Sequence, residues 1–195
     1  DYREDVYARE EGTCLTNNYV YDANEPLLES NNLDTQGSYT YDFVPDGIPD
    51  EGGAGGQVPF ASGHLTNRLQ AFETRNRYEY RNRSQEALDK VTADWIVRWN
   101  DTRPVQIQFD LKQTYRLNRL RLFHSGATPA FTVSGSVDGE SWTEHGTTSK
   151  RSPIGADVAD VTLSIEGDYR YVKLTIGPRD ADETFDLCEV EVWSE

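Results

Sequence analysis

From about residue 93 to the end of the chain, hydrophobic and polar positions alternate. In "PVQIQFDL", Val105, Ile107 and Phe109 alternate with Gln106, Gln108 and Asp110. The centre of "LNRLRLFH" sets Leu120 and Leu122 against Arg119 and Arg121, while Leu117 and Phe123 fall on the arginine side. The same period of two recurs in "AFTVSGSV", "DVTLSI", "YRYVKLTI" and "CEVEVW", and the turn signals "VDGES", "IEGD" and "IGPRD" separate these stretches. Side chains that alternate in this way belong to strands with one face inward. Many short strands with almost no helical period predict an all-β chain, an antiparallel β-sandwich of the jelly-roll kind.

Upstream the pattern is looser. Residues 22–63 are rich in Asp, Asn, Gly and Pro, with "PDGIPDEGGAGG" as the extreme, and such punctuation predicts turns and loops. Short strands are expected around "NYVYD" and "SYTYDF", and one helical turn over "SQEALDKV" with Ser84 as its cap. Residues 1–13 are charged and aperiodic, which reads as a tail or linker. The expected organisation is therefore one domain over residues 14–195, with long N-terminal loop insertions, and 195 residues are ample for a packed core.

Charge narrows the function classes. The formal net charge is −15, from 34 acidic against 19 basic residues. Nucleic acid and anionic membranes both call for positive potential, so neither is an expected partner. No apolar run approaches the ~20 residues of a spanning helix, which predicts no membrane insertion. The chain begins without Met or an apolar leader, and is expected to be a mature segment of a longer protein. Cys14 and Cys188 lie near opposite ends. They would be small buried thiols in a reducing compartment, or one bridge stapling the terminal strands in an exported domain.

The motifs point away from catalysis. Only His64, His124 and His145 are present, without a nucleophile elbow, a zinc-helix motif or a phosphate-binding glycine loop. "PDGIPDEGG" has hard oxygen donors around a glycine but not the spacing of a calcium loop, and reads as a solvated acidic turn. "NRS" at 82–84 and "NDT" at 100–102 are glycosylation sequons only in a eukaryotic secretory context.

In order and spacing, "PVQIQFDL", "YRLNRLRLF", "FTVSGSVDGESW", "YRYVKLTI" and "CEVEVW" resemble the F5/8 type C (discoidin), galactose-binding-domain-like family, which includes carbohydrate-binding modules and F-type lectins. "GHLTNR" is similar to the family's early "L-T-D-G" loop, with Asn67 and Arg68 in place of Asp and Gly. Lys112 stands where the family usually has Gly after "DL". The resemblance implies a jelly roll with its terminal strands side by side, which agrees with a Cys14–Cys188 bridge. It also implies a structural Ca²⁺, held by the Glu189 carboxylate, the Asn67 amide oxygen and the carbonyls of Cys188, His64 and Leu69.

The family's ligand loops correspond here to residues 72–83, 98–103, 124–131 and 177–185. They hold Arg75, Arg77, Tyr78, Tyr80, Arg98, Trp99, Asn100, His124, Arg179 and Phe185. Rings that stack on C–H surfaces beside planar groups that fork to hydroxyls are the chemistry of a sugar site. The positive 75–83 stretch would suit an acidic glycan. The resemblance and these loops together imply a secreted, extracellular or cell-surface, non-catalytic carbohydrate-binding module. It would hold an attached catalytic or adhesin domain on a polysaccharide or cell-surface glycan. The alternative is a discoidin-like protein- or cell-adhesion module with an apolar patch at the loop end.

Overall fold

The computed structural model describes residues 13–16, 37–46, 56–60, 63–66, 97–146, 149–153 and 158–195. Among them are ten strands and one 3₁₀ turn, His64–Thr66. The strands are β1 (Thr13–Cys14), β2 (Ser38–Tyr41), β3 (Val58–Pro59), β4 (Val97–Arg98), β5 (Val105–Gly126), β6 (Phe131–Ser136), β7 (Thr143–His145), β8 (Ser149–Pro153), β9 (Val158–Ile176) and β10 (Phe185–Ser194). The period-two stretches from residue 104 onward are all strand, as is the core of "SYTYDF". The expected strand at 18–22, the helical turn at 84–91 and most of the 1–13 tail lie outside the described residues.

Every pairing is antiparallel, and β5 with β9 forms the spine. Val105–Asp110 pairs with Tyr171–Ile176, and Tyr115–Ser125 pairs with Val158–Tyr169. Between those halves the register shifts, so that Asp110 to Tyr115 spans only Tyr171 to Tyr169 on the partner strand. The ribbon bends there and its halves serve two layers. The front layer adds β2, β3, β6 and β7, and the back layer adds β10, β1, β4 and β8. Ile107, Phe109, Val172 and Leu174 from the front half meet Leu120, Leu122, Leu163, Val190 and Val192 from the back half in one buried cluster. The fold is an antiparallel β-sandwich.

The bend explains the departure at Lys112. Its φ is 68°, a left-handed conformation that glycine adopts without strain and a lysine adopts at some cost. Asp110 compensates by accepting from the Lys112 backbone N–H at 2.8 Å and from its Nζ at 3.0 Å. Arg170 adds a fork onto the same carboxylate, Nε at 2.9 Å and Nη2 at 3.1 Å. Partial burial acts to raise the Asp110 pKa, but the bonds from Arg170 and Lys112 outweigh it and hold the group at about 2.

Alternation also accounts for the two residues on the arginine side. A second register shift between Leu117 and Arg119 turns Leu117 back into the core. Phe123 stays on the outer face of the back layer, fully buried, with the Arg121 guanidinium 5.1 Å from its ring centroid. Around β10 that outer face is covered rather than solvated. All ten residues of β10 are buried, and Glu189 and Glu191 have no exposed surface. Arg121, itself 5% exposed, reaches Asp160 at 2.6 Å and Glu191 at 3.8 Å. Glu191 also accepts from the Trp193 indole N–H at 2.9 Å, and Arg119 lies 4.4 Å from that ring. Trp193 is therefore anchored on the charged outer side, away from the inter-layer core.

The terminal strands are neighbours, as expected: Thr13 pairs with Ser194 and Cys14 with Trp193. That register overturns the disulfide. Cys14 sits five positions from Cys188 along β10, on the order of 15 Å at ~3.3 Å per residue. A bridge needs Cα atoms about 4–7 Å apart, and both cysteines are free. Thr16 ties the β1 segment down instead, donating to Val190 O at 3.2 Å and accepting from Val192 N at 3.1 Å. Burial pushes the Cys188 thiol up to about 12, with the Asp186 and Glu189 carboxylates adding to it. Cys14 is raised as well, first by burial and then by Glu191. Neither thiol is a reactive thiolate at neutral pH.

Arg121→Ala should destabilise the fold by about 3–5 kcal/mol, because Asp160 and the fully buried Glu191 lose their shared cation. Urea titration checks this, and a loss below about 1 kcal/mol would show that the pair is held by other groups.

Candidate functional site

Bending the β5–β9 ribbon brings its two ends to the same end of the sandwich. Four chain segments meet there: 42–46 after β2, 99–104 before β5, 127–130 between β5 and β6, and 177–184 between β9 and β10. Main-chain bonds tie them in pairs. Gly177 N donates to Ala130 O at 2.7 Å, Ala127 N to Thr184 O at 2.7 Å, Arg179 N to Thr102 O at 3.0 Å and Asp46 N to Arg98 O at 2.7 Å. Gly126 is obligatory in this knot. Its φ is 79°, and a Cβ there would lie 2.1 Å from the Thr184 carbonyl oxygen.

The side chains expected to meet a ligand divide sharply by exposure. Trp99 is 1% exposed; its indole edge packs on Tyr41 and its N–H donates to Phe43 O at 3.3 Å. His124 and Phe185 have no exposed surface and form a ring cluster with Phe131, His124 lying 5.3 Å from each phenylalanine. These three side chains floor the loops from within and offer no face to a sugar. Arg179 is likewise interior. Its guanidinium donates to the Asp101 carbonyl and, at 3.3 Å, to the Gly177 carbonyl, so it clamps two loops together. Burial lowers its pKa, with the Asp101 charge working against that shift.

Two expected residues do face outward. The Arg98 side chain is 41% exposed and forks onto Asp186, Nε to Oδ1 at 2.5 Å and Nη2 to Oδ2 at 2.7 Å. The hydrogen bond to Asp186 raises the Arg98 pKa. Asn100 is exposed, and its backbone N–H is held by Asp46 Oδ2 at 2.7 Å, leaving the amide side chain at the surface. Arg75, Arg77, Tyr78 and Tyr80 lie outside the described residues.

The 42–46 segment was not among the loops predicted from sequence, yet it braces the outward-facing groups. Asp42 and Gln106 bond reciprocally, Gln106 N to Asp42 Oδ1 at 3.0 Å and Asp42 N to Gln106 O at 3.1 Å. Phe43 is half-buried beneath Arg103, whose guanidinium carbon is 3.9 Å from the ring centroid. Arg103 also pairs with Asp101 at 2.9 Å. Asp42 and Asp46 follow a short aromatic strand, but single carboxylates are too common in so acidic a chain for that to mark the segment.

A few residues further along β10, the expected metal ligands fall partly within the described residues. The His64–Thr66 turn packs on β10. It is fixed by Leu65 N to Tyr39 Oη at 3.3 Å and by Thr66 Oγ1 to Phe60 O at 2.7 Å. Glu189 is fully buried, and Cys188 is the extra residue where β10 slips register between Leu187 and Glu189. Asn67 and Leu69 lie outside the described residues.

A family model describing the F5/8 type C domain matches residues 69–189, more than half of the chain. The chain belongs to the F5/8 type C family. No curated protein matched it in a sequence search. Similar solved structures include CpGH89CBM32-5 from Clostridium perfringens, in complex with GalNAc-β-1,3-galactose, at 15% identity over 82% of this chain and 96% of that one, with a TM-score of 0.48. CpGH89CBM32-6, produced by the same organism, is 15% identical over 51% of this chain and 76% of its own, with a TM-score of 0.39. The C-terminal domain of a chitobiase from Bacteroides fragilis is 22% identical over 52% and 72%, with a TM-score of 0.40.

In this F5/8 type C domain the loop end is thus a tied scaffold with an apolar floor and a rim of Arg98, Asn100 and Arg103. Arg179→Ala should loosen the tie between the 99–104 and 177–184 loops while sparing the core. Hydrogen exchange at the main-chain N–H of position 179 and of Gly177 should accelerate, and that of Leu174 should not. Global stability should fall by about 1–3 kcal/mol from the two carbonyls left without their donor. Unchanged exchange at both loop positions would remove the clamp.

Proposed function

We propose that this F5/8 type C domain is a non-catalytic carbohydrate-binding module that takes its glycan at the loop end. The observation that carries the reading is the fixed rim. Arg98, Asn100 and Arg103 project from loops already ordered by main-chain bonds and by Asp46, Asp101 and Asp186. Sugar hydroxyls are recognised by planar groups held in place before the ligand arrives, since ordering long side chains on binding costs affinity. Of the expected stacking rings, Trp99 and Phe185 are interior. In this reading the C–H faces of the sugar are taken by Tyr78 and Tyr80 of the 72–83 loop. Arg75 and Arg77 in the same loop would admit an acidic residue on the glycan without requiring one, so the rim takes a neutral glycan as well. Affinity per site is modest, because a shallow rim buries little surface.

The domain works by attachment. Joined to a secreted, polysaccharide-acting enzyme or to an adhesin, it would raise the local concentration of that partner at an insoluble or cell-surface glycan. Calorimetric titration against a panel of plant, algal and host polysaccharides should find at least one ligand. The double variant Asn100→Ala/Arg103→Ala should weaken it by about tenfold or more, the effect of removing one or two good polar contacts, without shifting the melting temperature. Binding to no member of the panel would end this reading.

A structural Ca²⁺ belongs to the same proposal. Its ligands would be the Glu189 carboxylate, the Asn67 amide oxygen and the carbonyls of Cys188, His64 and Leu69. A hard-oxygen set of carbonyls with one acid suits calcium. A buried Glu189 on β10, the strand that the His64–Thr66 turn packs on, with Cys188 at a break in the ladder, fits that use. The ion would fasten the early loop to the last strand. Chelation with EGTA should lower the melting temperature by several degrees, as expected for a ligand that binds only the folded state. It should leave glycan affinity at the loop end unaltered. No thermal shift on chelation would show the site to be unused.

A further inference from the structure

The two sheets treat their outer faces differently. The back face is charged and is buried along β10, whereas the outer face of the front sheet is partly exposed across four strands. Cross-strand register arranges its side chains in two rows. One row runs Thr132, Thr175 and Gln106, and the next runs Ser134, Lys173, Gln108 and Thr40. Apart from Lys173 these are neutral groups that both donate and accept hydrogen bonds, repeated at the strand spacing of about 4.8 Å.

Charge on this face is balanced, on a chain whose formal net charge is −15. Lys173 makes no ion pair among the described residues, and its Nζ lies 3.8 Å from the centroid of the half-buried Trp142 ring, just ahead of β7. Beside it, Arg170 and Lys112 share the single carboxylate of Asp110, and Arg170 also covers Tyr171 at 4.7 Å. Glu144 closes the Lys173 row opposite Ser134 and Asp42 ends the other row beside Gln106, so three cations stand with three carboxylates.

We propose that this face is a second glycan site, separate from the loop end, and that it takes an extended uronic-acid polysaccharide. This rests on the reading of the domain as a glycan binder. Repeated hydroxyl and amide groups match the repeated hydroxyls of a polymer chain. The Lys173 ammonium matches a carboxylate among them, and Trp142 holds that ammonium on the surface. A densely sulfated chain would need a cluster of free cations, which the face lacks. Lying across the strands, a chain bound here would be held along its length instead of at an end.

The test uses polygalacturonate, a neutral polysaccharide from the panel that binds at the loop end, and polyglutamate as a non-sugar polyanion. Affinity electrophoresis and titration should show polygalacturonate binding that weakens as salt is raised. Lys173→Gln should weaken it by about fivefold, the scale of one exposed ion pair, and adding Trp142→Ala should weaken it further. Neither change should alter binding of the neutral glycan or the melting temperature. Asn100→Ala/Arg103→Ala should do the reverse, losing the neutral glycan and keeping polygalacturonate. The proposal is overturned if polygalacturonate does not bind, if Lys173→Gln leaves it intact, or if the loop-end variant abolishes both ligands. Polyglutamate binding equal to that of polygalacturonate would likewise overturn it, by showing a general anion patch. The loop-end reading survives all of these provided the neutral glycan binds, and falls only if no glycan does.

Discussion

Everything in this domain hangs on the bend of one two-stranded ribbon. β5 and β9 are long because they belong to both layers, and the register shift around Asp110–Tyr115 and Tyr169–Tyr171 lets the same pair of strands turn from one layer into the other. The turn places a lysine in a conformation suited to glycine, held by Asp110 and Arg170. This corner sets the facing of the inward rows, the single core between them, and the meeting of both ribbon ends where the candidate glycan rim is built. A weaker corner would leave two sheets without a fixed relation, and the loops they carry would lose their common floor of His124, Phe131 and Phe185.

The strands after residue 104 were legible because each needs only one buried face, and a period of two writes that need directly into the chain. The same rule misplaced what lies behind β10. "CEVEVW" reads as valines inward and glutamates to water, and the valines are inward. The glutamates are buried too, because the outer face of that layer is covered around β10 and closes over an Arg121–Asp160–Glu191 cluster. Alternation tells which side a residue takes and says nothing of whether a second cover lies on the polar side. The cysteines failed for a related reason. Adjacent terminal strands were correctly expected, but the register that separates Cys14 from Cys188 is set by Thr16 and the β10 ladder, which no spacing in the sequence encodes.

The candidate site was legible by segment and less so by residue. Three of the four loops expected from the family resemblance have described residues, and these converge. Within them, residue type gave poor guidance: Trp99, His124, Arg179 and Phe185 have the chemistry of a sugar site and serve as floor and clamps. A tryptophan or arginine near a strand end is as useful for fixing a loop as for touching a ligand, and only exposure separates the two uses. The residues that brace the rim, Asp42, Asp46 and Asp186, carry no distinguishing signal, because single carboxylates are common in so acidic a chain.

The pairing of Thr13–Cys14 with Trp193–Ser194 has a consequence for how the domain assembles. An interior strand of the back layer is the last of the described strands along the chain, and its edge partner is the first. Between them lies nearly the whole chain, whose closure entropy must be met before those contacts return anything. Until β10 arrives, the outer edge of β5 stands open, with Leu120 and Leu122 uncovered and the Arg121 cluster without Glu191. The domain is therefore expected to fold late and in one cooperative step, and its most aggregation-prone moment falls just before completion.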